Sequence, residues 1–327
     1  MNFTEVPHRS SYGFLNSTSA NFTITAGVQW ISPVMDKSIS VITVLILFIT
    51  MVSMGCTMEI SKIRAHVLRP EGVAIAVLAQ YGIMPLTAFS LAKIFNLGPT
   101  EAVTVLLCGC CPGGNLSNII ALGLQGDMNL SIVMTACSTA LALGMMPLLL
   151  YVYSQNSTSL GTAIPYMGII IALIMTLVPC AIGIAINYWK PQYSQTIIKV
   201  GLSLLLVASL VIGVLSGITV GATAWIVLSP QLMTVAALMP FIGYQLGYLL
   251  ATIFRQNGQC RRTIAAETGC QNIQLCSTIL KVTFPPEIIG PLYLFPLVYI
   301  MFQCGEAFLF IILFRCYKTF RLSDWIS

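Results

Sequence analysis

The sequence predicts an all-α, polytopic membrane protein with nine transmembrane helices, in which the second half repeats the first in inverted topology. The 327 residues are 57% hydrophobic and 8% charged, with a mean hydropathy of +0.89. This composition is far too apolar for a soluble domain. The apolar runs are long and unbroken, which excludes a transmembrane β-barrel. Two runs carry helix-breaking and polar residues at mid-span, an arrangement typical of secondary transporters.

The spans follow from the length of hydrocarbon that a helix must cross, about 20 apolar residues. Nine segments of the chain fit this length. They lie at 38–58, 72–95, 102–125, 130–153, 165–187, 198–220, 231–254, 264–283 and 290–314. An odd number of spans places the two termini on opposite sides of the membrane.

Basic residues predict the orientation. With the N-terminus outside, the cytoplasmic segments hold eleven of the 15 Lys and Arg residues and the external segments hold four. The positive-inside rule therefore predicts an extracellular N-terminus and a cytoplasmic C-terminus. The net charge of +5 comes largely from these cytoplasmic loops, so it indicates topology rather than nucleic-acid binding. Glycosylation sequons at positions predicted to be external agree with this orientation: Asn2, Asn16, Asn21 and Asn156.

An internal repeat is predicted from the order of prolines and breaks. Pro85 lies in the second span and Pro240 in the seventh, and a polar break follows in the next span of each half. Pro147 and Pro296 then occur in the fourth and ninth spans. Spans 1–4 thus correspond to spans 6–9, and the odd offset inverts the second copy. Such a repeat predicts two discontinuous helices that cross near a pseudo-twofold axis, where ions bind.

Each break exposes backbone N–H and C=O groups that lipid cannot hydrogen-bond. The first, at 110–118, reads Cys-Cys-Pro-Gly-Gly-Asn-Leu-Ser-Asn, and the second, at 267–274, reads Glu-Thr-Gly-Cys-Gln-Asn-Ile-Gln. An unsatisfied backbone group in hydrocarbon costs several kcal/mol, so the unwound segments must face protein or a hydrated cavity. The ends of the half-helices then offer free N–H and C=O groups to ions or anionic groups.

Oxygen-bearing side chains accompany the breaks and indicate a site for a small hard cation. Such an ion needs several oxygens at short range with limited formal charge. A carboxylate inside a span is costly and is by default a functional residue. Hydroxyl, amide, carbonyl and one carboxylate together suit Na⁺. The candidate side chains are Ser117, Asn118, Ser131, Thr135, Glu267 and Gln271.

Structural interpretations compete with these assignments. Ser131 or Thr135, taken alone, can equally be a hydrogen bond between helices, and for Gln80 that interpretation is favoured. Glu306, in the last span, can satisfy a neighbouring helix. The cysteines at 108, 110 and 111 have no matching Cys/His set, and both histidines lie outside the spans. No metal other than sodium and no cofactor is therefore expected.

Four segments resemble the sodium/bile acid cotransporter family. They are residues 110–118, 126–131, 144–151 and 267–272, within a likeness that runs from about Asp36 to Tyr317. The Gly-Gly-Asn-Leu-Ser-Asn form of the first break, and Phe-Pro-Pro-Glu at 284–287, favour the hepatic branch of that family over its ileal branch.

The resemblance implies two sodium sites that share one carboxylate. The first would consist of Ser117, Asn118, Ser131, Thr135 and Glu267. The second would combine backbone carbonyls with Gln80, Glu267 and Gln271. The substrate path would include Asn115, Cys276 and Ser277.

The resemblance also implies that the spans form two domains. A core (transport) domain, 72–153 and 231–314, would move against a panel domain made of 38–58, 165–187 and 198–220. The ends of the chain would form a glycosylated extracellular tail, residues 1–37, and a cytoplasmic tail, residues 315–327.

Together these features predict a plasma-membrane, sodium-coupled importer of conjugated bile salts that works by alternating access, basolateral in hepatocytes by resemblance. Its expected partners are bile salts and related amphipathic anions, Na⁺ and membrane lipid, with no nucleic acid. A carrier of sulfated steroids is the alternative within the class. A membrane receptor would share the external N-terminus, but nine spans and two breaks argue against it. An intramembrane hydrolase would need a His or an Asp pair, which the spans lack, so an enzyme is not expected.

Overall fold

The structure, a computed structural model, describes residues 33–58, 71–155, 164–201, 203–204, 207, 228–284 and 286–323. Within these residues the regular secondary structure is helical, apart from one isolated β-bridge. The chain divides into two compact units, residues 1–44 and 45–327. The described part of the first unit is the beginning of the first helix. All contacts of the candidate site lie in the second unit.

Twelve α-helices have defined bounds in the described residues. The first six are α1 (Pro33–Cys56), α2 (Glu71–Leu78), α3 (Met84–Ile94), α4 (Pro99–Cys110), α5 (Asn115–Gly123) and α6 (Met128–Ser154). The remaining six are α7 (Tyr166–Trp189), α8 (Pro230–Ile253), α9 (Gly258–Gly269), α10 (Ile273–Thr283), α11 (Pro286–Ile289) and α12 (Phe295–Ser323). A π-helical turn, Ala79–Ile83, joins α2 to α3. Residues 191–201 are also helical.

The helix ends follow local sequence signals. The Asp127 carboxylate accepts hydrogen bonds from the N–H groups of Asn129 and Leu130 at the start of α6. Pro99 and Pro230 begin α4 and α8, where a missing N–H costs no hydrogen bond. Short side chains at the cap position thus start helices where the sequence turns apolar.

Five described helical segments are long and apolar enough to cross a membrane. They are Glu71–Ile94, Met128–Ser154, Tyr166–Trp189, Pro230–Ile253 and Leu292–Phe320. Shorter apolar helices are Val44–Cys56, Pro99–Cys110 and Ile273–Thr283. These segments make the chain a polytopic helical membrane protein. The predicted sixth span, 198–220, lies mostly outside the described residues, so the number nine stays a prediction.

Several predicted boundaries differ from the structure, most of all those of the eighth and ninth spans. The eighth span was expected to begin at 264, but α9 begins at Gly258 because the Asn257 side chain caps it, accepting from the Cys260 N–H at 2.8 Å. The ninth was expected at 290–314, but Gly290–Leu294 is a 3₁₀ turn and α12 continues to Ser323. The residues expected to begin the tail at 315 are therefore helical as far as 323.

Packing separates a buried core from an outward apolar face. The largest cluster of buried residues brings α4, α8, α10 and the start of α12 together. Large apolar side chains nevertheless stay exposed, among them Trp189 (74%), Met301 (73%) and Phe320 (70%). Extensive exposed apolar surface of this kind is what a membrane-facing helix presents to lipid.

Helices α1 and α7 cross where both lack side chains. A Cβ on Gly55 would overlap the Cys180 carbonyl, and a Cβ on Gly183 would overlap the Val52 carbonyl. Small residues at a crossing allow close backbone approach, which is how membrane helices gain packing energy in the absence of a hydrophobic driving force. Either glycine replaced by a larger residue would push α1 away from α7.

Candidate ion site at the crossing of two broken helices

The two sequence breaks meet in the structure. The first separates α4 from α5 at Cys111–Gly114, and the second separates α9 from α10 at Cys270–Asn272. Gly113 and Gln271 pair as an antiparallel β-bridge. The Asn272 N–H donates to the Pro112 carbonyl at 2.8 Å. Each unwound strand thus satisfies part of the other's backbone, which resolves the cost of breaking a helix in an apolar surrounding.

Glycine in the first break makes room for a carboxylate. A Cβ on Gly113 would overlap the Glu267 carboxyl group, with Oε1 as its nearest atom. A Cβ on Gly114 would lie 3.1 Å from the Cα of Asn272. Glycine is therefore required at 113 for Glu267 to reach the backbone of the first break.

Glu267 is the centre of the site. It is 1% exposed and lies in the last turn of α9. Its Oε2 accepts hydrogen bonds from Ser117 Oγ at 2.5 Å and from Thr135 Oγ1 at 3.0 Å. Its Oε1 is buried and has no hydrogen-bond partner among the described residues. One carboxylate oxygen is thus held by hydroxyls while the other, beside Gly113, remains available to a ligand.

The remaining residues predicted for the first sodium site join these hydroxyls in one set, the hydroxyl network, which consists of Ser117, Asn118, Ser131 and Thr135. Ser131 Oγ donates to Asn118 Oδ1 at 2.7 Å, and the main-chain carbonyl of Ser131 lies 3.1 Å from Thr135 Oγ1. Ser117 Oγ and Thr135 Oγ1 are 3.4 Å apart. Because a hydroxyl has one proton, Ser117 and Thr135 each satisfy one of several acceptors at a time. The lone pairs of their oxygens remain able to bind a cation.

A π-helical turn points Gln80 at the crossing. Gln80 Nε2 donates to the Cys111 carbonyl at 2.7 Å and to Gln271 Oε1 at 2.8 Å. In the same turn, the Tyr81 hydroxyl donates to the Ser138 carbonyl of α6. Single π turns inside α-helices are frequent at functional sites because the extra residue per turn redirects side chains.

Two of the residues predicted for the second sodium site, Gln80 and Gln271, are therefore in contact. Gln271 is 2% exposed, and its Nε2 donates to the Thr268 carbonyl at 3.1 Å. Gln80 is 1% exposed, and its Oε1 has no described partner. Glu267 Oε1 lies against Gly113, the residue that pairs with Gln271. The carboxylate thus contacts hydroxyls through Oε2 and lies beside Gly113, the bridge partner of Gln271, through Oε1.

Three buried oxygens near the breaks have no hydrogen-bond partner in the described part of the chain. They are Glu267 Oε1, Gln80 Oε1 and Asn115 Oδ1. A buried acceptor without a partner costs free energy, so native proteins rarely leave one unless a ligand or water satisfies it. Acceptors with no donor are the groups that a hard cation binds.

The residues expected along the substrate path are less closely grouped. Cys276 is fully buried, and its Sγ faces Cys108 Sγ at 2.9 Å. Asn115 and Ser277 are partly exposed. No hydrogen bond of the described residues joins Asn115 to Ser277 or to Cys276. The substrate path stays a prediction.

Several sequence predictions lie beyond these contacts. Asn2, Asn16, Asn21 and Asn156 are outside the described residues, so their glycosylation stays a prediction. Glu306 lies in α12 away from the hydroxyl network, with its Oε2 unpartnered. Among the described residues, His, Cys, Asp and Glu side chains form no group of three that could hold a metal ion.

Sequence reasoning missed two residues that contact the second break. Gln303, in α12, is fully buried and accepts from the Gln271 N–H at 3.1 Å through Oε1. The Tyr244 hydroxyl lies 3.1 Å from the Cys270 Sγ of the break and donates to the Gln303 carbonyl at 3.1 Å. Gln303 is an amide inside an apolar span, the same signal that singled out Gln80, and it could have been found on that ground.

The fold and site together define an ion-coupled membrane transporter. A polytopic helical protein in which two broken helices cross, with neutral oxygens around one buried carboxylate, has the construction that secondary transporters use to bind coupling ions. The chain belongs to the Sodium Bile acid symporter family, and the model of that family matches residues 44–228. Membership of a symporter family confirms that the protein is not an enzyme.

Named relatives cover most of the chain. It is 53% identical to the hepatic sodium/bile acid cotransporter of Homo sapiens over 308 residues, which are 94% of this chain and 88% of that protein. It is 44% identical to sodium/bile acid cotransporter 4 of Mus musculus, over 89% of this chain and 67% of that protein. Identity to the ileal sodium/bile acid cotransporter of Homo sapiens is 41%, over 93% and 88%. The higher identity to the hepatic protein confirms the branch that the sequence favoured.

Proposed function

We propose that the protein is a sodium-coupled importer of conjugated bile salts that works by alternating access. The observation that carries the proposal is the network around Glu267, in which the one carboxylate at the crossing is bound by two hydroxyls on Oε2 and left unpartnered on Oε1. Membership of the symporter family, and the names of the relatives, support bile salts and Na⁺ as the transported species.

Two sodium ions would bind on either side of this carboxylate. The first would be held by Glu267 Oε2 and the oxygens of the hydroxyl network, which consists of Ser117, Asn118, Ser131 and Thr135. The second would be held by Glu267 Oε1 with the amide oxygens of Gln80 and Gln271 and with backbone carbonyls. Sharing one negative charge keeps formal charge low, and neutral oxygens complete each shell, as a weakly held transported ion requires.

Coupling to two ions suits a carrier that concentrates a dilute anion. A Na⁺ ion that moves down a tenfold gradient and a potential of roughly 50 mV releases about 2.5 kcal/mol. Two ions release about 5 kcal/mol, whereas inward movement of a monoanion costs about 1 kcal/mol against that potential. The remaining ~4 kcal/mol permits roughly thousandfold accumulation. One ion would leave about 1.4 kcal/mol, or tenfold.

The proposal includes a nine-span plasma-membrane topology with an external N-terminus and an inverted repeat. The positive-inside bias, and the matching order of prolines and breaks in the two halves, support it. A core of 72–153 and 231–314 would move against a panel of 38–58, 165–187 and 198–220. An epitope tag in the turn between α8 and α9, residues 254–257, should react with antibody only after cells are permeabilised. Labelling on intact cells would refute this topology.

Substrate would bind near the first break. Helix α5 begins at Asn115 without a side-chain cap, so its N-terminal N–H groups and positive dipole end can face an anion. The apolar steroid face would slide along the wall between panel and core, and Asn115, Cys276 and Ser277 would line its path. Bound sodium ions would attract the same anionic tail.

Uptake of radiolabelled taurocholate by transfected cells tests the proposal. Replacing external Na⁺ by choline should abolish saturable uptake, and depolarisation should slow it, because two cations with one monoanion carry net positive charge inward. A sulfated steroid offered as a competitor separates the two substrate classes. Taurocholate uptake that continues unchanged in choline medium would show that the transport function is wrong.

A further inference from the structure

Three buried glutamines form a continuous hydrogen-bonded chain around the second break. Gln80 Nε2 donates to Gln271 Oε1 at 2.8 Å, and the Gln271 N–H donates to Gln303 Oε1 at 3.1 Å. These side chains are 1%, 2% and 0% exposed. We call them the amide triad. They come from the π turn, the second break and α12, so the triad connects three elements that are distant in sequence.

The role of Gln303 follows from what the break leaves unsatisfied. Gln271 lies between α9 and α10, so its N–H has no acceptor within a helix. Gln303 Oε1 supplies that acceptor from the neighbouring helix. Because a backbone N–H can only donate, the oxygen of the Gln303 amide must face it, which fixes the orientation of that amide.

The other end of the Gln303 amide is unused. Its Nε2 is buried and has no hydrogen-bond partner in the described residues. The backbone of Gln303 is held separately, since the Tyr244 hydroxyl of α8 donates to its carbonyl at 3.1 Å. Gln303 is therefore anchored at its main chain while it presents one acceptor to Gln271.

We infer that Gln303 is a positioning residue for the second sodium site. By accepting the Gln271 N–H it sets the backbone of the break, and with it the direction of the Gln271 side-chain oxygen and of the carbonyls beside it. Gln303 does not touch the ion. The inference rests on the proposed function, because it assigns a residue to a site that only a sodium-coupled carrier would use.

Gln303→Met should weaken sodium binding at the second site alone. Methionine keeps the length of the side chain but removes the acceptor, which leaves the Gln271 N–H unpaired. Loss of a residue that orients a ligand typically reduces metal affinity by 10- to 100-fold. We expect the sodium concentration for half-maximal taurocholate uptake to rise about tenfold. The Hill coefficient for sodium should fall towards one.

Gln303→Glu is the conservative partner of this variant. Because burial disfavours the charged form, its carboxyl group is expected to stay protonated and to add no charge. Its carbonyl oxygen can still accept the Gln271 N–H, and the amide nitrogen that it loses has no partner to lose. Sodium dependence should therefore stay within about threefold of the unsubstituted protein, well inside the tenfold change expected for Met. Gln245→Met is the matched control, because Gln245 lies on the exposed face of α8. The control should leave both sodium parameters unchanged.

The outcomes separate this inference from the transport function. If the unsubstituted protein shows no sodium-dependent uptake, the proposed function fails before Gln303 is tested. If it does, and Gln303→Met keeps its sodium half-saturation and Hill coefficient, the inference is wrong while the function stands. Equal impairment of the Met and Glu variants, or a loss of maximal rate alone, would also overturn the positioning role.

A second measurement covers a variant that fails to reach the cell surface. Bound sodium should raise the unfolding temperature of detergent-purified protein in proportion to its affinity for the folded state. Gln303→Met should need about tenfold more sodium for the same rise, whereas Gln303→Glu and Gln245→Met should not. An unchanged sodium titration of purified Gln303→Met would overturn the inference without any transport measurement.

Discussion

The two broken helices meet at one point but contribute different chemistry. The first break is Pro-Gly-Gly and contributes open backbone, since Gly113 leaves space for a carboxylate and α5 begins without a side-chain cap. The second break contributes side chains: Glu267 before it, Gln271 within it, and Asn272, whose Oδ1 accepts from the Leu275 N–H and caps α10. The first break provides the space, and the second break provides the side chain that occupies it.

This difference has a physical reason. A carboxylate can approach a backbone only where the facing residue lacks a Cβ, so the charged break needs a glycine-rich partner. An uncapped helix start keeps its N–H groups available to an anion, whereas a capped start does not. If the two breaks shared the same chemistry, they could bind either a cation or an anion at the crossing. We propose that their unlike chemistry allows a cation and an anion to bind there together.

The largest expected effect is at the charged break. Glu267→Gln keeps the size and one oxygen of the side chain but removes the formal charge available to both proposed sodium ions. Two cations would then repel each other with no counter-charge at low effective dielectric. Losing one partner of a buried charged network costs about 3 kcal/mol or more, roughly 100-fold. We expect sodium-coupled taurocholate uptake to be abolished at unchanged surface expression.

The control for this variant is Glu71→Gln, which neutralises an exposed carboxylate at the start of α2. It should transport normally. A well-expressed Glu267→Gln protein with unaltered sodium dependence would mean that the carboxylate is structural and that the assigned site is wrong.

The next largest effect is at the glycine-rich break. Gly113→Ala adds a Cβ that would overlap the Glu267 carboxyl group, so the carboxylate must withdraw from the crossing. We expect the sodium half-saturation concentration to rise at least tenfold, the lower range for disturbing the shell around a metal ligand. Sodium titration of taurocholate uptake measures the change.

Gly144→Ala is the matched control, since a Cβ at Gly144 would meet nothing within 4 Å and alanine is the better helix former. That variant should fold and transport at least as well as the original protein. Equal effects of the two alanine substitutions would show that the space beside Glu267 is not what position 113 provides.

A smaller effect is expected for a neutral ligand. Ser131→Ala removes one hydroxyl of the hydroxyl network, and water can replace a neutral oxygen at modest cost. The loss of a typical hydrogen-bonding group is ~1 kcal/mol, equivalent to about fivefold in sodium half-saturation. Maximal uptake should be kept. A Ser131→Ala defect as severe as that of Glu267→Gln would contradict the distinction between neutral and charged ligands.

The smallest effect should appear as stability. Asn272→Ala removes the cap of α10, which is worth about 1 kcal/mol and should lower the unfolding temperature of purified protein by roughly 2–4 °C. Its sodium dependence should change less than that of Gly113→Ala. Asn257→Ala removes the cap of α9 at an exposed position, where water can replace it. If Asn257→Ala lowers the unfolding temperature as much as Asn272→Ala does, the buried cap contributes no more stability than the exposed cap.

Local sequence predicted the class of the protein, the two breaks and several of the polar side chains that meet there. Composition and apolar run length are properties of neighbouring residues, and Pro-Gly-Gly in an apolar span cannot be accommodated as continuous helix. Glu267 was singled out because a charge in such a span is costly wherever it points. Helix ends were less well predicted, as at Gly258 and Ser323, because caps and polar extensions depend on only a few atoms.

Only the tertiary structure decided which oxygens come together. Ser117 and Glu267 are 150 positions apart, and Gln80 and Gln271 are 191 apart, so no local pattern joins them. The π turn that directs Gln80 arises from packing. So does the hydrogen bond in which Gln303 accepts the Gln271 N–H, a group that has no acceptor within a helix. The sequence by itself determined that a charged break and a glycine break exist. A charge or a helix-breaking residue in lipid costs free energy wherever its partners lie, so each is visible in the local sequence. Their pairing through Gly113 and Gln271 required the folded chain, because an unpaired backbone group finds its partner only in space.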